Sequence, residues 1–337
     1  MASNNRAASS GLFGFAFQVN CAIVLMLENI RSLKTLRLEG KEDVEIVLED
    51  GSYILAQAKS VVKASTDFRR VHYNLKKALM TLSEASNSVK KVSQLIYITN
   101  SSNPFDEVLS RARFFGPSHV SFLELPQEAQ SIIQGYLSLI NNPLDTSKLV
   151  IQRLPFESDN LDERYQTVRN IIGDFLGDKL GIYRNGLRIR LHNAWMNSVF
   201  DNGTKQDINI KLTKEDILWP LIVCLIDTSH KAEESVYYSG LEEIEVEELV
   251  DKYRTIIDSK CERFEFVTRV ITDYENSRTN ESYTARSFVE DNWARYLEDF
   301  KSDAIDLTIR PNLIKVVISN VISSRFTIDS VKNYCNL

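Results

Sequence analysis

The sequence has few of the residues that build metal or disulfide frameworks. It contains four cysteines, none of them in a C-x-x-C pair, and its four histidines are equally scattered. Because zinc sites and disulfide-rich domains need cysteine or histidine at close spacing, the sequence argues against both classes. Scattered cysteines indicate reduced thiols, and we therefore expect a cytoplasmic protein.

Repetitive and strongly polar stretches are also missing. We find no internal repeat and no low-complexity linker in the 337 residues. Apolar residues make up 43% and charged residues 26% of the chain, which is the ordinary balance of a globular protein. A chain of this length has room for about two domains of roughly 100–200 residues each.

One apolar run, residues 12–27 (LFGFAFQVNCAIVLML), has to be weighed as a membrane or signal segment. It is shorter than the roughly 18–20 residues that a membrane span needs, and Gln18 and Asn20 interrupt it. Only Arg6 precedes it as a basic residue, and no small-residue cleavage site is evident. We therefore expect a buried helix and no membrane association.

The net charge of −6 is unevenly distributed along the chain. Residues 1–100 hold 13 basic and 9 acidic residues, whereas residues 225–300 hold 9 basic and 19 acidic residues. A polyanion would therefore bind the first part. A simpler interpretation of the acidic part is that its charges lie on solvent-exposed helix faces.

The first hundred residues predict an alternation of helices and strands. The acidic/apolar alternation of DVEIVLE has the period of a strand, and Asp50-Gly51 is a strong hairpin signal. The predicted order is helix, three strands, helix and strand. These elements are, in order, a helix from Ser9 or Ser10 to about Ile30, strands 35–39, 43–49 and 52–59, a helix within 68–86 and a strand 93–99.

The rest of the chain predicts further strands at VSFLEL and KLVIQRLPF and then mainly helices. A boundary near Gly181–Asn185 divides the chain into domains 1–185 and 186–337. We expect an α/β fold in the first domain, with a mixed-sheet αβββαβ core, and a mostly α-helical second domain. Pro220 should kink the helix that starts near Thr213.

The hairpin carries the candidate chemistry. Gln57 and Lys59 are two residues apart and therefore leave the same face of the sheet. A two-residue turn would set Asp43 opposite Ala58 and away from that face. A three-residue turn with a bulge at Gly51, or an Asp43 just outside regular pairing, brings the three polar side chains together.

A carboxylate, an amide oxygen and an ammonium at one sheet edge suit metal-assisted hydrolysis of phosphodiesters. Mg²⁺, or Mn²⁺ in its place, would take oxygen ligands from Asp43 and Gln57. Lys59 would orient or help deprotonate the attacking water and offset charge in the transition state. Glu39 is the third candidate ligand, and Glu42 and Glu45 are further candidates that the spacing does not rank. The alternative is a solvated hairpin with charged edges.

The order of elements together with QAK at residues 57–59 resembles the PD-(D/E)xK nuclease superfamily, in the QxK variant of its Mrr-like branch. More narrowly, residues 11–100 look like the double-stranded-DNA endonuclease domain of effectors in CBASS and other bacterial anti-phage systems. The matching segments are GFAFQ, EGKEDVEIV, YILAQAK, NLKKALMTL and LIYITNS. The resemblance implies a restriction-endonuclease-like core and places Gln18 of the first helix in the active site, beside Asp43, Gln57 and Lys59.

Basic residues follow the hairpin directly. They could bind phosphates beside the cleft without reading sequence, although for any single one of them a solvated helix face is the more ordinary role. These candidates for DNA binding are Lys63, Arg69, Arg70, Lys76 and Lys77.

The second half shows no catalytic pattern of its own. Three of its segments, LRIRLHNAWMNSVF, FEFVTRVITDYENS and ARSFVEDNWARYLEDF, look like the C-terminal domain of effectors in ABC three-component and Lamassu defence systems. The tryptophan pair usual near Trp195 is absent. The resemblance implies docking to an SMC-like ATPase, which holds the nuclease inactive, within a complex that also has a small accessory subunit. Because one catalytic edge cuts only one strand, we also expect the active form to self-associate.

Two other functions stay open. One is an autonomous restriction-type nuclease whose second domain recognises DNA, although the acidity of residues 225–300 argues against DNA contact there. The other is a non-catalytic scaffold subunit with a degenerate nuclease fold. The complete set of Asp43, Gln57 and Lys59 argues against the scaffold.

Overall fold

The computed structural model divides into two compact units, Met1–Ile217 with Cys335–Leu337, and Leu218–Tyr334. The residues that the structure describes are 3–226, 232–261, 263–278, 283–302 and 304–337.

The first unit is built on a mixed sheet of seven strands in the order β5-β6-β4-β3-β2-β1-β7. The pairs β7–β1, β1–β2 and β2–β3 are antiparallel. The pairs β3–β4 and β4–β6 are parallel, and β5 pairs antiparallel with β6. The strands are β1 Leu33–Leu38, β2 Val44–Leu48, β3 Tyr53–Lys59, β4 Val92–Thr99, β5 Ser118–Ser121, β6 Leu149–Arg153 and β7 Leu212–Thr213.

Helices cover both faces of this sheet. α1, which also contacts α5 and α6, packs on one face, and α2 packs with α4 on the other. The apolar face predicted for α2 is buried against Leu55, Leu95 and Tyr97 of the sheet. The helices of this unit are α1 Ser3–Asn29, α2 Val71–Asn87, α3 Val108–Arg111, α4 Gln127–Leu137, α5 Leu161–Asp174 and α6 Leu187–Thr204. The predicted order of helix, three strands, helix and strand is confirmed.

Helix α1 contains the apolar run, and its segment Ser9–Asn29 is long and apolar enough to meet the criteria for a membrane span. In the fold, 61% of its most apolar window is buried, and every residue from Val19 to Met26 is buried. A helix that is apolar all round is typical of a protein core as well as of a membrane. α1 starts at Ser3, earlier than the predicted caps at Ser9 or Ser10.

The strands of the structure differ from the predicted strands in two places. VSFLEL forms a strand only as far as Ser121, because Ser121 and Glu124 cap each other and turn the chain into a 3-10 helix. β7, which the sequence analysis missed, has two residues and exists through its pairing with Thr35 and Leu36.

The first unit continues beyond the predicted division at 185/186. α6 packs against α1, α5 and β1, and the indole of Trp195 in α6 donates to the Ile217 carbonyl at 2.7 Å. These contacts place α6 with the sheet, and the chain divides between the two compact units at 217/218.

The second unit is helical, as predicted for the C-terminal part of the chain. Its buried residues come from α7 to α12 and include Phe266, Phe288, Tyr296 and Phe300. α7 continues through Pro220 to Ile226, and residues 293–300 form a 3-10 helix. The helices are α7 Lys214–Ile226, α8 Ala232–Ser239, α9 Glu243–Cys261, α10 Phe264–Ser277, α11 Ala285–Asn292 and α12 Arg310–Cys335.

Candidate active site

The turn between β2 and β3 determines which side chains meet. Leu48 N donates to Ser52 O at 2.9 Å, so the turn holds three residues, and Gly51 adopts a φ of +76°. Val44 pairs with Ala56, and the same register continued by one residue sets Asp43 opposite Gln57. The three-residue turn with a bulge at Gly51 is therefore confirmed, and Asp43 shares a face with Gln57 and Lys59.

One oxygen of Asp43 is the meeting point of this set. Asp43 Oδ2 accepts from Gln57 Nε2 and from Ala58 N, the latter at 2.8 Å, and Lys59 Nζ lies 3.5 Å away. The side chains of Asp43 and Lys59 are 14% and 23% exposed, so both reach solvent at the sheet edge. No hydrogen bond from the described residues reaches Asp43 Oδ1, which leaves this oxygen open to a ligand.

Gln57 is held from the other side by helix α2. Its side chain is buried, and its Oε1 accepts from Thr81 Oγ1 at 2.5 Å. Thr81 also lies 3.2 Å from the Ala78 carbonyl of its own helix. Thr81 is not among the site residues predicted from the sequence, although its helical spacing from the apolar residues Ala78 and Leu82 places it at the border of the buried face of α2.

Two glutamates of the β1–β2 connection lie close enough to Asp43 for its charge to raise their pKa values. Burial, followed by the charge of Asp43, raises the pKa of Glu42 to about 8. Removal from water and then Asp43 also raise the pKa of Glu39, which has a left-handed φ of 54°. Lys59 opposes both shifts. A raised pKa favours the protonated, neutral form of a carboxyl group, so Glu42 carries little charge near neutral pH.

Gln18 of α1 reaches this group through Glu39. The side chain of Gln18 is half-buried and forms a hydrogen bond with the Glu39 carboxyl that partly offsets the rise in its pKa. The structure thus places Gln18 beside the predicted ligand Glu39, and not in direct hydrogen bonding with Asp43, Gln57 or Lys59.

A pocket of about 280 Å³ opens between the β1–β2 connection and helix α2. Its lining adds Glu84 of α2, which the sequence analysis missed, to Glu39, Glu42 and Asp43. Glu45 does not line this pocket. Its buried carboxylate pairs with Lys211 and accepts from Lys41 N, so it is engaged elsewhere.

The donor set fits a hard divalent cation. Mg²⁺ binds through one or two carboxylates and keeps several waters, so a complete protein cage is not required. Among the described residues no three histidine, cysteine, aspartate or glutamate side chains form such a cage. Asp43 with its open Oδ1, the amide of Gln57 and the carboxylate of Glu39 would hold the ion, and a bound cation would favour the ionised form of Glu39.

The five predicted phosphate-binding residues differ in whether they are free to contact DNA and in whether they lie on the side of the site. Lys63, in the loop after β3, is exposed, whereas Arg69, also exposed, is engaged with Asp67 at 2.8 and 3.0 Å. Because a helix turns about 100° per residue, Lys77 lies about 40° from Thr81 around α2, and Lys76 lies about 140° away. Arg70, just before α2, shares the side of Lys77. Lys76 therefore points away from the site.

The loops beside Lys59 are tied together at the carboxyl ends of the parallel strands. Asn100 accepts from Val61 N at 2.9 Å and donates to Val61 O at 2.8 Å and to Phe156 O at 2.7 Å. The guanidinium of Arg111 lies 6.0 Å from the ring of Phe68. Arg111 is thus a further exposed cation beside the loop that follows β3, which a motif search misses because only tertiary contacts bring it there.

The chain was compared with protein-family models, with curated proteins and with solved structures, and none of the three comparisons found a match.

Proposed function

We propose that the chain is a metal-dependent, largely sequence-nonspecific double-stranded DNA endonuclease with a restriction-endonuclease-like core. The observation that carries the proposal is the convergence of Gln57, the Ala58 amide and Lys59 on Asp43 Oδ2 at one sheet edge. The order of elements and the resemblance of the Gln-Ala-Lys hairpin to the PD-(D/E)xK superfamily support the same assignment.

Lys59 would act on the water and on the phosphate. Its ammonium can donate a hydrogen bond to the oxygen of the attacking water and another to a non-bridging phosphate oxygen. The water oxygen then bonds to phosphorus, one phosphorus–oxygen ester bond breaks, the water loses a proton to solvent and the leaving oxygen gains one. Partial exposure of Lys59 allows this contact with solvent.

Asp43 fixes Lys59 and contributes the anionic ligand for Mg²⁺ or Mn²⁺. The bound ion would polarise the phosphate and lower the pKa of water. Gln57 and Glu39 complete the proposed ligand set, and Gln18 orients Glu39 by its hydrogen bond.

DNA is the proposed substrate because exposed cations lie in the loop after β3, at the start of α2 and on it, and in α3. Lys63, Arg70, Lys77 and Arg111 carry the binding in this account, and phosphate contacts of this kind do not select a base sequence. Residues 225–300, with an excess of acidic residues, would not contribute.

We further propose that the nuclease is the effector of a Lamassu-type bacterial anti-phage complex. Residues 186–337 would bind an SMC-like ATPase and a small accessory subunit, as their resemblance to such effectors suggests. A partner that binds the single copy more tightly than the oligomer shifts the equilibrium away from self-association. Release would allow two or more catalytic edges to cut both strands.

The assignment is tested by incubating the purified chain with supercoiled plasmid in Mg²⁺, in Mn²⁺ and in EDTA. We expect nicked and linear products with either metal and none in EDTA. A chain that binds DNA but leaves it intact under all metal conditions would favour the scaffold subunit.

A further inference from the structure

The hydroxyl of Thr81 lies near three oxygen-bearing groups. It is 2.5 Å from Gln57 Oε1 and 3.2 Å from Ala78 O, and it also forms a hydrogen bond with the Glu42 carboxyl. A hydroxyl carries one proton and two lone pairs, so Thr81 donates to one of these oxygens at a time and can accept a hydrogen bond at the same time.

The amide of Gln57 has two ends, and both are committed. Nε2 donates to Asp43 Oδ2, and Oε1 accepts from Thr81. In this orientation the amide oxygen, which is the atom that a cation would require, faces α2 and not Asp43. A half-turn of the amide would exchange the two ends without moving the rest of the side chain.

Thr81 can pair with Gln57 in either orientation. After the half-turn, Oγ1 would accept from Nε2 and pass its own proton to Ala78 O, which is already within reach. An apolar side chain at this position would leave one end of a buried amide without a partner, which is unfavourable. The hydroxyl is therefore the group that lets the buried amide present either end to Asp43.

We propose that Thr81 is a positioning residue that supports Gln57 when its Oε1 faces Asp43 to ligate a divalent cation. This inference rests on the proposed function, since it assigns a partner to one of the proposed ligands. Removing a hydrogen-bond partner of a metal ligand typically weakens metal affinity about 10–100-fold.

Mn²⁺ binding to the full chain, followed by electron paramagnetic resonance, tests the role of Thr81 without a cleavage assay. Thr81→Val keeps the shape and removes the hydroxyl, and we expect its affinity to fall roughly 10-fold or more. Thr81→Ser keeps the hydroxyl and should bind nearly as well as the unaltered chain. Ser86→Ala, which removes a hydroxyl bonded to Ser83 O on the same helix, should change nothing.

The outcomes separate this inference from the proposed function. If the unaltered chain does not bind Mn²⁺, the metal site itself is wrong. If it binds and Thr81→Val binds equally well, the role of Thr81 is wrong while the metal site stands. Circular dichroism and thermal unfolding accompany each variant, and Thr81→Ala replaces Thr81→Val if the valine variant does not fold.

Discussion

Asp43 and Gln57 face each other across a hairpin whose turn holds three residues, and the Asp43 carboxylate accepts a hydrogen bond from the Gln57 amide. A turn one residue shorter would place Gln57 and Lys59 on the opposite face of the sheet from Asp43. The local geometry at Gly51 thus determines whether the three candidate catalytic side chains meet at all.

Gly51→Ala should destabilise the first unit. Gly51 has a φ of +76°, and a side chain in this left-handed region costs about 1–2 kcal/mol. Gly135→Ala is the matched control, because Gly135 lies within α4 with open space around its Cβ position, where alanine favours a helix by up to about 1 kcal/mol. Urea unfolding of both variants measures the difference, and equal effects would show that the turn does not need a glycine.

Lys77→Ala should weaken DNA binding more than Lys76→Ala. The two lysines are neighbours on α2, but only Lys77 lies on the side of Thr81 and the site. Loss of one phosphate contact lowers the slope of log affinity against log salt by about 0.9. Fluorescence anisotropy with a DNA duplex in EDTA measures this slope. A larger loss for Lys76→Ala would place the bound duplex on the other side of α2.

His192 should make the fold less stable in mild acid. It is buried in α6, its Nε2 lies 2.9 Å from Asn20 Oδ1, and burial followed by the charge of Arg169 lowers its pKa to about 4. The unfolded chain takes this proton near pH 6.5 and the folded chain only near pH 4, so the free energy of unfolding decreases as the pH falls between these values.

His192→Gln removes this titration and keeps a hydrogen-bond donor. Between pH 7 and pH 4.5 the unaltered chain should lose about 2 kcal/mol more unfolding free energy than the variant. Urea unfolding at the two pH values measures the loss. An identical loss in both proteins would mean that folding does not lower the pKa of His192.

How far the sequence predicts this site depends on the range of the contacts that form it. The Asp50-Gly51 signal and the period of two along residues 43–59 are local, and they predict the hairpin, but the three-residue turn that brings Asp43, Gln57 and Lys59 to one face is decided only in the structure. The helical period of α2 was sufficient to identify its buried face. Glu45 remained an open candidate in the sequence, because its ion pair with Lys211 joins residues far apart in the chain.

Contacts between elements that are distant in sequence could not be predicted from the sequence. Thr81 meets Gln57 because α2 packs on β3, and Arg111 of α3 meets Phe68 of the loop after β3 across more than 40 residues of chain. β7 is too short to have a period and is fixed by its pairing with β1. α6 looked like the start of a new domain because its contacts with α1 leave no local signal.

Self-association and its suppression by a partner can be measured by mass photometry. We expect the free chain to form dimers or larger oligomers that cut DNA, and the complex with an SMC-like ATPase to contain a single, inactive copy. A truncated chain that ends at Ile217 serves as the matched control for partner binding. A monomer that cuts at full rate, or a complex formed through residues 1–185 alone, would contradict the proposed control.

The most direct test of the central claim compares plasmid cleavage by the unaltered chain, Asp43→Asn, Lys59→Ala and the control Lys76→Ala in Mg²⁺. The claim predicts that cleavage falls by on the order of 100-fold or more in the first two variants, since each removes a charge that would stabilise the transition state. Circular dichroism should show that all three variants remain folded. Folded Asp43→Asn and Lys59→Ala proteins that cut plasmid at the rate of the unaltered chain would contradict the assignment of this edge as the active site.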